Sequence, residues 1–212
     1  MVTTPRRLRL GSLFSGLGGL DLAVEEVFNA ATLWYAENDP CLEALYQYHW
    51  PQAQPLGDIT TVDWGRVPRI DVLCGGFPCQ DLSSAGGRAG MGPGTRSGLW
   101  TVMAQAIQVL NPRWVVIENV TGLLATPANP RPPDLIGECH APGSLRLSRP
   151  GQRGLDSAGP VRRGLGVVLS DLAGMGMDAA WAVLPASAVG APHQRRRVFI
   201  LAWPAAAHPT SL

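Results

Sequence analysis

Short apolar runs alternate with longer amphipathic segments along most of the chain. The apolar runs end in glycine, proline or acidic turns and predict buried strands, whereas apolar residues at helical spacing predict helices. The predicted strands are Leu8–Phe14, Thr32–Ala36, Ile70–Cys74, Trp114–Ile117, Ala179–Leu184 and Arg197–Ala202. The predicted helices are Leu20–Asn29, Cys41–His49, Leu99–Leu110 and Leu165–Met175. This order predicts an α/β fold with a mostly parallel sheet, and the last two strands predict an antiparallel edge strand.

One segment interrupts the alternation. Residues 126–164 contain seven prolines and many glycines but few apolar residues, which is typical of a loop insertion. The remaining residues are enough for one hydrophobic core. We therefore expect a single domain over residues 1–212 that carries this insertion.

Composition excludes several classes of protein. Hydrophobic residues make up 46% and charged residues 16% of the chain, as in globular proteins. No apolar run reaches the length of a membrane span, and the amino terminus lacks the apolar region of a signal peptide. The four cysteines form no Cys-x-x-Cys pair, so we expect no metal site and a reducing, cytoplasmic setting.

Charge alone does not indicate a nucleic-acid partner. The net charge is only +1, although all seventeen basic residues are arginines and six of them lie between residues 131 and 163. Arginine pairs with phosphate through two parallel hydrogen bonds. A biased genomic base composition would produce the same preference for arginine, so both explanations stay open.

A glycine-rich turn follows the first predicted strand. It consists of Phe14, Ser15, Gly16, Leu17, Gly18 and Gly19. In an open parallel sheet, nucleotide-type ligands bind at the carboxyl ends of the strands, where Glu37 would meet ribose hydroxyls and Asp58 an adenine amino group. By themselves these residues fit NAD, FAD or S-adenosylmethionine, or only a tight turn.

A cysteine and a glutamate follow the next two strands. Cys79 lies just beyond a buried strand, after a proline in a glycine-rich loop, which is a poor position for a core cysteine. Glu118 ends the following strand at the same edge of the sheet. The pattern thus places a nucleophilic thiol and a carboxyl group at one pocket beside the cofactor turn.

These motifs, in this order, resemble those of the DNA cytosine-5 methyltransferases. Pro78-Cys79-Gln80 is similar to the family's catalytic Pro-Cys-Gln motif, and Glu118-Asn119-Val120 to its Glu-Asn-Val motif. The Arg195-x-Arg197 sequence is similar to its Gln-x-Arg-x-Arg motif, with His193 in place of the glutamine. The resemblance implies a Rossmann-like methyltransferase fold, a bacterial or phage-encoded origin and a role in restriction-modification.

The resemblance also implies the roles of individual residues. Cys79 would attack C6 of a flipped cytosine, Glu118 would bind its N3 edge, and Arg197 and Arg195 would bind O2. The methyl donor would be S-adenosylmethionine and the substrate double-stranded DNA. The residues expected to bind the cofactor are Phe14, Ser15, Gly16, Leu17, Gly18, Gly19, Glu37, Asn38, Asp58, Ile59 and Pro78.

The carboxyl-terminal part departs from the family pattern. Little sequence follows the arginine motif, so we expect a catalytic domain without the family's target-recognition domain, which a partner chain would then supply. The main alternative is a truncated or split fragment that binds the cofactor or a partner but is inactive alone. An RNA cytosine methyltransferase fits the same motifs, whereas Pro78-Cys79-Gln80 disfavours a dinucleotide oxidoreductase.

Overall fold

A computed structural model describes residues 6–78, 99–125 and 164–205. Cys79 and all of the predicted insertion except Gly164 lie outside these ranges. The strands are β1 (Leu8–Leu13), β2 (Ala30–Ala36), β3 (Gln54–Pro55), β4 (Val72–Gly75), β5 (Trp114–Val120), β6 (Met177–Leu184) and β7 (Arg197–Pro204). The helices are α1 (Gly19–Phe28), α2 (Pro40–His49), α3 (Leu99–Leu110), α4 (Gly122–Ala125) and α5 (Gly164–Gly174).

The strands form one sheet in the order β3-β2-β1-β4-β5-β7-β6. The pairs from β3 to β5 are all parallel, because a helix or a longer connection returns the chain between them. β7 is antiparallel to both β5 and β6, since the short connection after β6 reverses the chain direction. The predicted α/β class with a mostly parallel sheet and an antiparallel edge is confirmed.

Helices cover both faces of the sheet. On one face, α3, α4 and α5 contribute Met103, Leu123 and Leu172 to the larger core, which also contains Leu73 and Ile117 from the strands. On the other face, α1 and α2 pack against alternate residues of the same strands. None of the described helices is long and apolar enough to cross a membrane.

Two elements differ from the sequence-based prediction. β5 continues to Val120, three residues beyond the predicted bound at Ile117, because Glu118, Asn119 and Val120 pair with β7. In α1, helical spacing puts Leu20, Val24 and Val27 on one side and predicts that this side is buried, yet Val27 is 68% exposed. The buried positions are Asp21 and Val24, so the helix is rotated to place an acid against the sheet.

The indole of Trp34 packs directly on the backbone of β1. Trp34 is fully buried, and a Cβ added to Gly11 would overlap its six-membered ring. The β1–β2 register also shifts between Leu10 and Gly11. Glycine at this position therefore leaves the room that the indole occupies between β1 and β2.

We predict that Gly11→Ala destabilises the fold by about 1–3 kcal/mol, because the new methyl group must displace Trp34 or the strand. Urea denaturation measures the change in the free energy of unfolding. Gly166→Ala is the matched control: Gly166 is exposed on α5 with no atom within 4 Å of an added Cβ, so this variant should gain about 0.5–1 kcal/mol. Equal stability of Gly11→Ala and the wild type would contradict the packing described.

Candidate active site

The glycine-rich turn connects the end of β1 to the start of α1. Phe14, Gly16 and Gly18 have φ angles of 55°, 53° and 74°, in the left-handed region that glycine adopts without strain. The amide of Phe14 donates to the carbonyl of Ala36 at 2.9 Å, and the amide of Gly18 donates to Ser15 O at 2.9 Å. The turn is therefore tied to the end of β2 and closed on itself.

The two sides of this turn differ in packing. A Cβ on Gly18 would overlap the indole of Trp50, so this side rests on the protein. A Cβ on Gly16 would meet nothing nearer than 3.9 Å, and one on Gly19 nothing within 4 Å. Leu17 is 67% exposed. The outer side of the turn is thus open, and its backbone fits the close approach of a nucleotide-like cofactor.

Glu37 joins the ends of β1 and β2. Its Oε2 atom accepts a hydrogen bond from the amide of Gly16 at 2.8 Å. Its Oε1 atom accepts bonds of 3.0 Å from the amides of Asn38 and Asp39. The structure therefore places an acceptor carboxylate beside the open turn, where the sequence predicts the ribose contact.

Asp58 begins the 3₁₀ turn Ile59–Thr61. One carboxylate oxygen accepts bonds from the amide and the hydroxyl of Thr60, both at 2.8 Å. These bonds, and a further one from the Asn38 side chain, lower the pKa of Asp58, so it is ionised at neutral pH. The contact with Asn38 places Asp58 next to the end of β2, while Ile59 anchors the turn in the core.

Glu118 and Arg197 form an ion pair across the antiparallel β5–β7 junction. The Nε atom of Arg197 lies 2.8 Å from Oε1 of Glu118, and both side chains are partly buried, at 23% and 30% exposure. Arg197 also donates from Nη1 to the carbonyl of Arg196 at 3.0 Å. A Cβ on Gly76 would lie 3.1 Å from Oε2 of Glu118. The carboxylate is therefore held between Arg197 and the loop after β4.

Asn119 also holds the loop after β4, through its side-chain amide. Its Nδ2 atom donates to the carbonyl of Phe77 at 3.0 Å, and its Oδ1 atom accepts from the amide of Val120 at 2.8 Å. The side chain is only 3% exposed. Because Phe77 lies two residues before Cys79, this bond sets the course of the backbone leading to the predicted nucleophile.

The structure brings most of the predicted site residues to one edge of the sheet. Glu37 contacts the glycine turn, Asn38 contacts Asp58, and Glu118 contacts Arg197. Arg195 instead lies exposed in the turn before β7, with a φ of 29°. Among the described residues, no group of three histidine, cysteine or acidic side chains could hold a metal ion.

Sequence reasoning did not assign roles to Asn119 and Gly76. Asn119 lies inside the Glu-Asn-Val motif. An amide side chain at the end of an apolar strand, next to a glycine-rich loop, is the sequence signal for a hydrogen bond to that loop. Nothing in the sequence indicates that Gly76 lies against Glu118, because that contact depends on the pairing of β4 with β5.

Comparison with known proteins identifies the family. The profile of the C-5 cytosine-specific DNA methylases matches residues 8–134 of the 212. The chain therefore belongs to the C-5 cytosine-specific DNA methylase family, as its motifs predicted. It is 27% identical to the type II methyltransferase M.NgoBV of Neisseria gonorrhoeae, over 92% of this chain and 41% of that protein.

Further relatives agree with this assignment. The chain is 31% identical to the type II methyltransferase M2.BsuMI of Bacillus subtilis, over 92% of its length and 42% of that protein. In structure it is similar to the Dnmt2 methyltransferase of S. pombe, with a TM-score of 0.64, 17% identity, and coverage of 97% and 54% of the two chains. The chain thus spans about two fifths of the length of the curated relatives quoted.

We predict that Asn119→Ala destabilises the protein by about 1–3 kcal/mol, because the variant leaves the buried Phe77 carbonyl without its donor. Denaturant unfolding provides the measurement. Gln105→Ala on α3 is the control, since Gln105 is exposed and its loss should change stability by less than about 0.5 kcal/mol. If the two variants unfold at the same denaturant concentration, the Asn119–Phe77 bond does not hold the loop.

Proposed function

We propose that this chain transfers a methyl group from S-adenosylmethionine to C5 of a cytosine in double-stranded DNA. The observation that supports this proposal most directly is the Glu118–Arg197 ion pair. The pair lies against Gly76, at the start of the segment that leads to Cys79. A carboxylate and a guanidinium side by side match the polar edge of a cytosine, which presents N3, an amino group and O2. Family membership supports the same reaction.

The cofactor would bind along the carboxyl ends of β1, β2 and β4. The open turn from Phe14 to Gly19 would accommodate the methionine portion of the cofactor, and Glu37 would accept hydrogen bonds from its ribose hydroxyls. Asp58, Ile59 and Asn38 would surround the adenine, and Pro78 would close the site near the methyl group. Bound there, S-adenosylmethionine supplies an electrophilic methyl group on a sulfonium.

Cys79 is the proposed nucleophile. Its thiolate would form a bond to C6 of a cytosine flipped out of the duplex, and the C5–C6 π electrons would move to C5. Glu118 would share a proton with N3 and accept a hydrogen bond from the amino group, while Arg197, with Arg195, would donate to O2 and offset the developing negative charge. The electron pair at C5 would then form the bond to the methyl group as the methyl–sulfur bond breaks, with its electrons left on sulfur. A base would remove the C5 proton, and the electrons of that C–H bond would re-form the C5–C6 double bond as the Cys79 thiolate is expelled.

Pre-organisation is the contribution of the described residues. Glu118 and Arg197 are held by each other and by the strand pairing, so they need little rearrangement when the base arrives. The matched part of this chain covers only 41% and 42% of the two relatives. We therefore propose that recognition of the DNA sequence depends on additional protein, from a further segment or a partner chain. The alternative is a fragment that binds the cofactor or its partner without catalysis.

The nucleophile is tested by covalent trapping. With S-adenosylmethionine and duplex DNA that carries 5-fluorocytosine in many sequence contexts, we predict a denaturation-resistant adduct, because fluorine cannot leave C5 as a proton does. Cys79→Ala should abolish the adduct. Cys41→Ala should retain it, since Cys41 is an exposed thiol on α2.

The outcomes of trapping distinguish an active methyltransferase from an inactive fragment. An adduct that persists in Cys79→Ala contradicts the assignment of the nucleophile. No adduct with the wild-type chain, when it binds S-adenosylmethionine, contradicts independent activity and supports the inactive-fragment alternative. An adduct with fluorinated RNA but not with DNA would contradict the proposed substrate.

The cofactor site is tested with Glu37→Ala. Loss of a charged acceptor should weaken S-adenosylmethionine binding about 10- to 100-fold, measured by isothermal titration calorimetry. Glu26→Ala is the matched control, because Glu26 is exposed on α1 and should leave the affinity unchanged. Unchanged affinity in Glu37→Ala would argue against the ribose contact.

A further inference from the structure

A buried acid lies directly beneath the cofactor turn. Asp21 belongs to the first turn of α1, two residues after Gly19, and only 1% of it is exposed. An ionised carboxylate is costly to bury unless hydrogen bonds replace its water. None of the steps proposed for catalysis uses this side chain, so its retention in the core needs a different explanation.

Three elements supply hydrogen bonds to Asp21. The hydroxyl of Tyr46 on α2 donates to Oδ1 at 2.9 Å, and the thiol of Cys74 on β4 lies 3.6 Å from the same oxygen. The hydroxyl of Ser12 on β1 also interacts with the carboxylate and opposes the rise in the pKa of Asp21 that burial causes. The carboxylate therefore connects β1, β4 and α2 at the point where α1 begins.

The network continues from Ser12 into the turn itself. Ser12 Oγ lies 2.8 Å from Oγ of Ser15, and both residues are buried. A hydroxyl has one proton to donate. Ser15 Oγ also lies 3.5 Å from the carbonyl of Ala36, at the limit of a hydrogen bond. When Ser12 directs its proton at Asp21, Ser15 gives its proton to the shorter contact with Ser12, and the carboxylate is linked through Ser12 to the turn.

Tyr46 supports the same turn by packing. Its ring stacks on Trp50 with centroids 4.3 Å apart and an interplanar angle of 19°. Gly18 lies against both rings, since a Cβ there would overlap Trp50 and approach Tyr46 to 3.2 Å. The bond from Tyr46 to Asp21 therefore fixes the aromatic surface on which the turn rests.

The pKa shifts of Asp21, Tyr46 and Cys74 agree with this arrangement of donors and acceptor. Burial raises the pKa of Asp21, whereas hydrogen bonds from Ser12 and Tyr46 oppose that rise. Burial and the nearby Asp21 raise the pKa of both Tyr46 and Cys74. The phenol and the thiol therefore keep their protons and remain donors toward the carboxylate.

We propose that Asp21 is a positioning residue for the cofactor turn, acting through Ser12–Ser15 on one side and through Tyr46 on the other. The role in cofactor binding rests on the proposed function, whereas the ordering of the turn does not. Asp21 touches no substrate. It holds the Gly16 amide in its bond to Glu37 and the Gly18 amide in its bond to Ser15 O, so that the open side of the turn faces the cofactor.

Asp21→Asn tests this role, because it keeps the shape of the side chain but replaces one acceptor oxygen with a donor. We expect S-adenosylmethionine to bind about tenfold more weakly. In the cofactor-free chain, we expect the Gly16 and Gly18 amides to exchange with deuterium about tenfold faster. Exchange in β5 and β7 should stay at the wild-type rate.

Two tyrosine variants form a matched pair. Tyr46→Phe removes one bond to Asp21 and should shift affinity and exchange in the same direction by a smaller factor. Tyr35→Phe removes a hydroxyl that bonds to Gln47 at 2.9 Å in the same α2–β2 contact, and should leave the turn unchanged. If Asp21→Asn does not fold, the Tyr46 and Tyr35 pair together with Ser12→Ala still decides the question.

Each outcome has a distinct meaning. Wild-type exchange in the turn of Asp21→Asn, or faster exchange throughout the sheet, would overturn the positioning role and leave Asp21 as an ordinary core residue. A wild-type chain that binds no S-adenosylmethionine would overturn the proposed function alone. In that case the exchange rates of Gly16 and Gly18 still confirm or refute the ordering of the turn by Asp21.

Discussion

The candidate site depends on the pairing register of the central strands. Ala36, Leu13, Gly75, Ile117 and Ile200 lie in one row across β2, β1, β4, β5 and β7. Parallel strands end at the same edge, so the residues just after this row become neighbours. This row therefore assembles the glycine-rich turn, Glu37, Gly76 and Glu118 from separate parts of the sequence.

The antiparallel strand completes the site because its direction is reversed. The parallel strands present their carboxyl ends to this edge, whereas β7 presents its amino end, where Arg197 pairs with Val120. Its guanidinium reaches Glu118 diagonally across the sheet. A parallel strand in this position would carry the arginine motif to the opposite edge. The reversal of β7 is thus the feature that places a cation beside the carboxylate.

Hydrogen bonds from the half-buried Glu37 and the buried Asn119 then fix the connecting segments. Glu37 holds the turn after β1 through Gly16, and Asn119 holds the loop after β4 through Phe77. Both bonds cross between neighbouring strand ends. They replace the ladder bonds that the backbone loses where the strands stop.

Much of this arrangement could be predicted from sequence, because apolar periodicity is a local property. The bounds of α3 agree with its pattern, and the hairpin-like edge followed from the short connection before β7. The position of Asp21 could not be predicted, since an acid between Leu20 and Leu22 reads as solvent-exposed. Its burial depends on Ser12, Tyr46 and Cys74, which are distant in sequence. Likewise, the Glu118–Arg197 pair requires the β5–β7 register, which periodicity does not specify.

The central claim is that these strand ends form one cofactor site. The most direct measurement is a titration of the isotopically labelled chain with S-adenosylmethionine, followed by amide chemical shifts. The account predicts that the largest shifts occur at Gly16, Asn38 and Ile59. Shifts confined to the neighbouring cavity, which Leu17 of the turn shares with Leu22, Glu25, Trp50 and Gln52, or no shifts at saturating cofactor, would contradict it.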